Sequence, residues 1–73
     1  FSIRQNSGQI SITSNIPDDA EIDLRNLMGQ VIQREHCAGN NTVKLNSNSI
    51  QHGIYILNIN YAHKHSSKKI LIN

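Results

Sequence analysis

The chain has 73 residues, with seven Lys and Arg against five Asp and Glu for a formal charge of +2, one Phe, two Tyr and no Trp. That length allows one small domain, and most of its aliphatic side chains are needed to offset an ordering cost on the order of 100 kcal/mol, which leaves little for an interior active site. The basic residues are scattered apart from Lys64, Lys68 and Lys69, and without aromatic stacking platforms they do not make a nucleic-acid-binding face.

Along the chain the dominant signal is alternation with period two, the mark of strands with one wet and one dry face. A short run at Phe1 to Arg4 comes first, followed by a turn at Asn6-Ser7-Gly8. Gln9-Ile10-Ser11-Ile12-Thr13 then directs two isoleucines one way and polar residues the other. Pro17-Asp18-Asp19 breaks the pattern, Pro by its fixed φ and Asp by bonding its own backbone. In Glu21-Ile22-Asp23-Leu24-Arg25 the three charged residues are expected outward and the two aliphatics inward. Met28-Gly29-Gln30 reads as a tight hairpin leading into Val31 to His36, and Ala38-Gly39-Asn40 as the next corner.

Asn41-Thr42-Val43-Lys44-Leu45 alternates again. The polar stretch from Asn46 to Gly53 carries one aliphatic, Ile50, placed to pin a long connection over the end of a sandwich. Ile54 to Tyr61 is apolar on both faces at its start, as a central strand would be, with Tyr55, Leu57, Ile59 and Tyr61 on one parity and Ile54 and Ile56 on the other. A polar hairpin is expected at Ala62 to Ser67, then a last strand from Lys68 through Ile70, Leu71 and Ile72. No window supports an amphipathic helix. The expected fold is an all-β antiparallel β-sandwich of about seven strands, residues 1–73 forming one domain. No run approaches the roughly 20 apolar residues of a membrane span. The start at Phe1 has neither Met nor signal-peptide pattern, and reads as a piece of a longer protein.

From Gln9 onward the residues Ile22, Leu24, Asn26, Gly29, Gln30, Val31 and Ile32, then Val43-Lys44-Leu45-Asn46, then Gly53-Ile54-Tyr55-Ile56-Leu57, then Lys68-Lys69-Ile70-Leu71-Ile72, stand in a characteristic order. In that order and spacing the chain resembles the C-terminal sorting domains of cargo proteins of the type IX secretion system. The resemblance implies a seven-stranded immunoglobulin-like sandwich, without catalytic activity or cofactor, that directs a cargo lying N-terminal to it across the outer membrane of a Gram-negative bacterium. It further implies passage through the periplasm, recognition by the outer-membrane type IX translocon, removal by a sortase-like surface peptidase, and a secreted or cell-surface destination. By position, the family's Gly-x-Tyr element falls on Gly53 and Tyr55, and its basic C-terminal element on Lys68 or Lys69 with Ile70, Leu71 and Ile72 as the tail. The family's Pro-Asn-Pro near the domain start has no counterpart in Ile3-Arg4-Gln5-Asn6-Ser7-Gly8, which leaves open whether the element has diverged or the chain begins inside it.

Each of these residues also has a purely structural reading. Gly53 fits a backbone position of positive φ, and Tyr55 fits a core or corner aromatic whose hydroxyl bonds a loop carbonyl. Lys68 and Lys69 fit an edge strand guarded by charge. His63 and His65 have no third ligand near them in sequence and read as solvated turn residues, not as a metal site. His36 and Cys37 are adjacent, so a strand sends them to opposite faces and denies them the hydrogen bond of a nucleophile and its base; Cys37 reads as a buried structural thiol, and as the only cysteine it has no internal disulfide partner. Asn40-Asn41-Thr42 matches a glycosylation sequon of little weight. The competing function is an adhesive, structural or carbohydrate-binding accessory domain of a secreted enzyme such as a protease or glycosidase. It calls for an exposed apolar or aromatic patch on one sheet.

Overall fold

A computed structural model describes residues 1–73 as seven strands and no helix. They are β1 (Ser2–Asn6), β2 (Gln9–Thr13), β3 (Ala20–Arg25), β4 (Val31–Cys37), β5 (Thr42–Asn46), β6 (Gly53–Tyr61) and β7 (Lys64–Ile72). All pairings are antiparallel, in a three-stranded sheet ordered β1-β2-β5 and a four-stranded sheet ordered β4-β3-β6-β7. The chain crosses between sheets at β2–β3, β4–β5 and β5–β6, which gives the Greek-key arrangement of an immunoglobulin-like sandwich. Its shortest extent, 15 Å, is that of two sheets packed face to face.

One parity of each strand supplies the core. Ile10 and Ile12 of β2 and Leu45 of β5 face Ala20, Ile22 and Leu24 of β3, Leu57 and Ile59 of β6, and Ile70 and Ile72 of β7, all buried. Ile50, in the β5–β6 connection, closes the end as expected. At the opposite end the two β–β crossings are tied together. The Asn40 amide donates to the Ile16 carbonyl at 2.8 Å, and the Gly39 amide donates to Asp19 Oδ1 at 3.0 Å. Gly39 lies so close to the Pro17 backbone that a Cβ would come within 1.9 Å of the Pro17 carbonyl oxygen.

Three sequence expectations are corrected. The hairpin expected over Ala62 to Ser67 is only the two residues Ala62 and His63, with φ of 46° and 61°. β7 therefore starts at Lys64; its first half looks like loop because Lys64 to Lys69 carries no apolar residue on either parity. Second, Asp23 does not face water like Glu21 and Arg25 but is 6 % exposed. It sits mid-strand on β3, the outer face of a central strand, where the side chains of Arg25 and Asn58 cover it. Third, β6 is central in its sheet, yet nothing packs on the face bearing Ile54, which stays exposed.

Candidate recognition site

The residues singled out near the C-terminus come together on two adjacent strands. In the β6–β7 register Gly53 faces Ile72, Ile54 faces Leu71, Tyr55 faces Ile70, Ile56 faces Lys69 and Leu57 faces Lys68. Gly53 opens β6 with a φ of 155°, which L side chains rarely adopt; a Cβ there would touch only Tyr55 Cε1, at 3.8 Å. Backbone conformation rather than crowding is therefore the physical reason for glycine. Tyr55 is buried and its hydroxyl donates to the Gln51 carbonyl at 2.6 Å, tying β6 to the connection before it. Ile70 and Ile72 lie in the core.

Lys68, Lys69 and Leu71 are exposed. Lys69 and Leu71 stand on the outer face, whereas Lys68 shares the inward parity of Ile70 but lies beyond the cover of the smaller sheet. There it borders a cleft of about 340 Å³ with Phe1, Ile3, Leu57, Ile59, Tyr61, Ser66 and Ser67. Phe1 packs on Tyr61 across this cleft, ring centroids 5.0 Å apart and tilted by 57°.

The outer face of the four-stranded sheet is divided in two. One end is polar and continuously hydrogen-bonded. Arg25 Nε donates to Asp23 Oδ1 at 3.0 Å, Asn58 Nδ2 donates to the same oxygen at 3.1 Å, and Ser67 Oγ donates to Asn58 Oδ1 at 2.6 Å. His65 continues the chain, its Nε2 2.8 Å from Ser67 Oγ and its Nδ1 2.6 Å from Asn60 Oδ1. Burial by itself would push the Asp23 carboxyl up; the bonds from Arg25 and Asn58, with the charges of Arg25 and Arg34, outweigh it and hold the group below its ordinary value. The other end is apolar. On the face itself Leu71 is 53 % and Ile54 43 % exposed; at the same end, Leu27 and Met28 of the β3–β4 turn are 68 % and 84 % exposed, and Val31 and Ile32 at the start of β4 are also open. An extra residue in β4, Ile32, opposite the Leu24–Arg25 step of β3, breaks the register there. The sequence signal for this patch is the second apolar parity of β6, Ile54 and Ile56, together with the Leu27-Met28 pair at a turn.

The remaining candidates stay apart. His36 is exposed, its Nδ1 2.8 Å from Glu21 Oε1 and its Nε2 3.3 Å from Asp19 Oδ2, while Cys37 points into the core from the opposite face. Burial, with the nearby Asp19 charge, pushes the Cys37 thiol up, which disfavours the thiolate a nucleophile needs. His63 occupies the β6–β7 turn, whereas His65 lies in β7 and not in a turn. No group of three or more His, Cys, Asp or Glu is arranged to hold a metal ion, and no helix is long and apolar enough to cross a membrane.

Two antiparallel sheets in this strand order, with the last strand at an open edge, define an immunoglobulin-like β-sandwich module. The family model described as a secretion system C-terminal sorting domain matches residues 6–73, and the chain belongs to that family. Its members are the C-terminal sorting signals of type IX secretion, so this domain directs a larger cargo protein, N-terminal to it, across the outer membrane of a bacterium of the Bacteroidetes, and that protein is secreted or displayed at the cell surface. No curated protein and no solved structure matches the chain.

Proposed function

We propose that the paired strands β6 and β7 are the part of this domain that the type IX translocon reads, with Lys68, Lys69 and Leu71 touching the receptor and Gly53, Tyr55, Ile70 and Ile72 holding them in place. The observation that carries this reading is the split within the terminal run: Ile70 and Ile72 are committed to the core, while Leu71 and the two lysines project from an edge strand. Alternation makes the division possible, because anchoring one parity rigidly displays the other. In this reading the domain acts as a folded surface and carries out no chemistry. The cargo reaches the translocon from the periplasm, and a sortase-like surface peptidase then removes the domain.

The test is export of a fluorescent cargo fused ahead of residues 1–73 in a host with a working type IX system. Deleting the terminal residues is a poor probe, since it also takes Ile70 and Ile72 out of the core. Leu71→Asp and Lys69→Glu change exposed positions only. Each is expected to lower surface or medium fluorescence at least fivefold while the purified fusion melts as the unchanged protein does. Full export of both folded variants would refute the assignment of these residues.

The apolar end of the outer sheet also fits the adhesive or accessory reading, which calls for such a patch. Sugar stacking has weaker support, because Tyr55 is buried and Phe1 and Tyr61 pack on each other. A folded fusion that stays in the periplasm, with a longer version of the domain behaving alike, would favour the accessory role.

A further inference from the structure

The backbone of β7 has one free side, and its orientation follows from two independent observations. Gln5 Nε2 donates to the Leu71 carbonyl at 2.8 Å, so Leu71 presents its peptide groups away from β6. At the other end the two-residue turn makes Tyr61 and Lys64 its closing pair, and such a pair is hydrogen-bonded. Antiparallel partners alternate between bonded and non-bonded pairs. Both observations therefore assign the non-bonded positions to His65, Ser67, Lys69 and Leu71, whose N–H and C=O groups point to the open edge. Gln5 occupies the Leu71 carbonyl; beyond it, the edge from His65 to Lys69 is uncovered.

Sheet edges are ordinarily blunted by shortness, bulges, proline, charge or a covering segment, and on β7 only charge, from Lys64, Lys68 and Lys69, serves this purpose. Of the four edge strands, β1 and β5 have five residues each and β4 carries the register break. β7 has nine residues, keeps an unbroken register with β6 and contains no proline. Alongside it lies the cleft of about 340 Å³ lined by Phe1, Ile3, Leu57, Ile59 and Tyr61, with Ser66, Ser67 and Lys68 on the β7 side. A strand added about 4.8 Å beyond β7 would hang every second side chain over that cleft.

We propose that β7 is recognised by strand addition: an extended segment of the export machinery, alternating apolar and acidic residues, pairs with the edge from His65 to Lys69, its apolar side chains entering the cleft. The proposal rests on the reading that β7 is the recognised strand. Acidic character on the outer parity follows from Lys69, which stands on that face, and from the absence of any Asp or Glu in β7. The lysines of β7 disfavour a second copy of this chain, because pairing β7 with β7 brings like charges together.

The experiment compares five variants of the fluorescent fusion. Ser67→Pro removes an edge amide that β6 does not use, while Ser67→Ala loses the same hydroxyl and keeps the amide. The proline variant is expected to export at least fivefold less than the alanine variant, with the two melting within a few degrees of each other. Equal export of the two folded variants overturns the proposal. Should Ser67→Pro fail to fold, Phe1→Ser, which changes the cleft and leaves β7 untouched, decides: a fivefold or greater loss in a folded variant supports strand addition, and native export overturns it. Loss of export with Leu71→Asp or Lys69→Glu, together with native export of Ser67→Pro and Phe1→Ser, leaves β7 as the recognised strand and removes strand addition. Native export of all four removes both. Sedimentation of the unchanged fusion as a dimer that Ser67→Pro dissociates would make the occupant a second copy and overturn the partner named here.

Discussion

The Gln5 side chain and the Leu71 carbonyl, 66 positions apart in the chain, are joined by a 2.8 Å hydrogen bond that fastens the edge of one sheet to the edge of the other. The opposite flank is joined in the same way, where Gln33 Nε2 donates to the Asn46 carbonyl at 2.7 Å. Each flank of the sandwich is thus bridged by a glutamine amide. Past Gln5 the β1–β7 flank opens into the cleft beside Lys68.

Gln5→Ala is expected to loosen the end of β7 more than the whole fold. The bond is exposed, so its loss costs about 0.5–1 kcal/mol. Amide exchange should quicken at Ile70 and Ile72 and stay nearly unchanged at Ile10 and Ile12. Uniform quickening would mean that the flank does not open independently.

Tyr55→Phe deletes the hydroxyl bonded to Gln51 and leaves the ring in place. A loss of about 0.5–1.5 kcal/mol in urea unfolding is expected. Tyr55→Ala, which also empties part of the core, should cost about 3–5 kcal/mol, comparable to other large aromatic truncations.

Within the terminal run, stability and exposure should separate residue by residue. Ile70→Ala and Ile72→Ala are each expected to cost about 2–5 kcal/mol. Leu71→Ala, on the open face, should stay within about 0.5 kcal/mol. Three similar denaturation midpoints would contradict the core assignment.

Ala62 and His63 hold left-handed backbone angles without being glycine. That conformation costs an L residue about 1–2 kcal/mol. His63→Gly should therefore raise the unfolding free energy by about 1 kcal/mol, read as a higher urea midpoint, with the hairpin unchanged.

Two groups should make stability depend on pH in opposite directions. The hydrogen bond His36 donates to Glu21, with the charges of Glu21 and Asp19, outweighs the desolvation that opposes it and raises His36 above its ordinary 6.5. Its contribution is full below that value and fades as pH rises through the folded-state pKa. Asp23 is held below its ordinary 3.8, so its contribution is full above that value and fades as pH falls through the lower folded-state pKa. His36→Asn should flatten the alkaline side of the stability profile, and Asp23→Asn the acid side, in urea midpoints taken from pH 2 to 9.

The sequence alone determined the strands, because alternation with period two survives wherever one face of a strand is buried: Ile10 and Ile12, Ile22 and Leu24, and Tyr55, Leu57 and Ile59 are legible for that reason. It also determined the family, through residues ordered along the chain, and the sealing role of Ile50. The tertiary structure alone decided which faces and edges remain open. Alternation cannot tell a face covered by another sheet from one left bare, so the exposure of Ile54 and Leu71 and the burial of Asp23 became visible only once neighbours were placed. Nor does a strand bare on both faces leave a pattern to read, and the first half of β7 was hidden in the polar run from Lys64 to Lys69. A three-stranded sheet laid on a four-stranded one cannot cover all of the wider layer, and the flank left uncovered is where β7 lies.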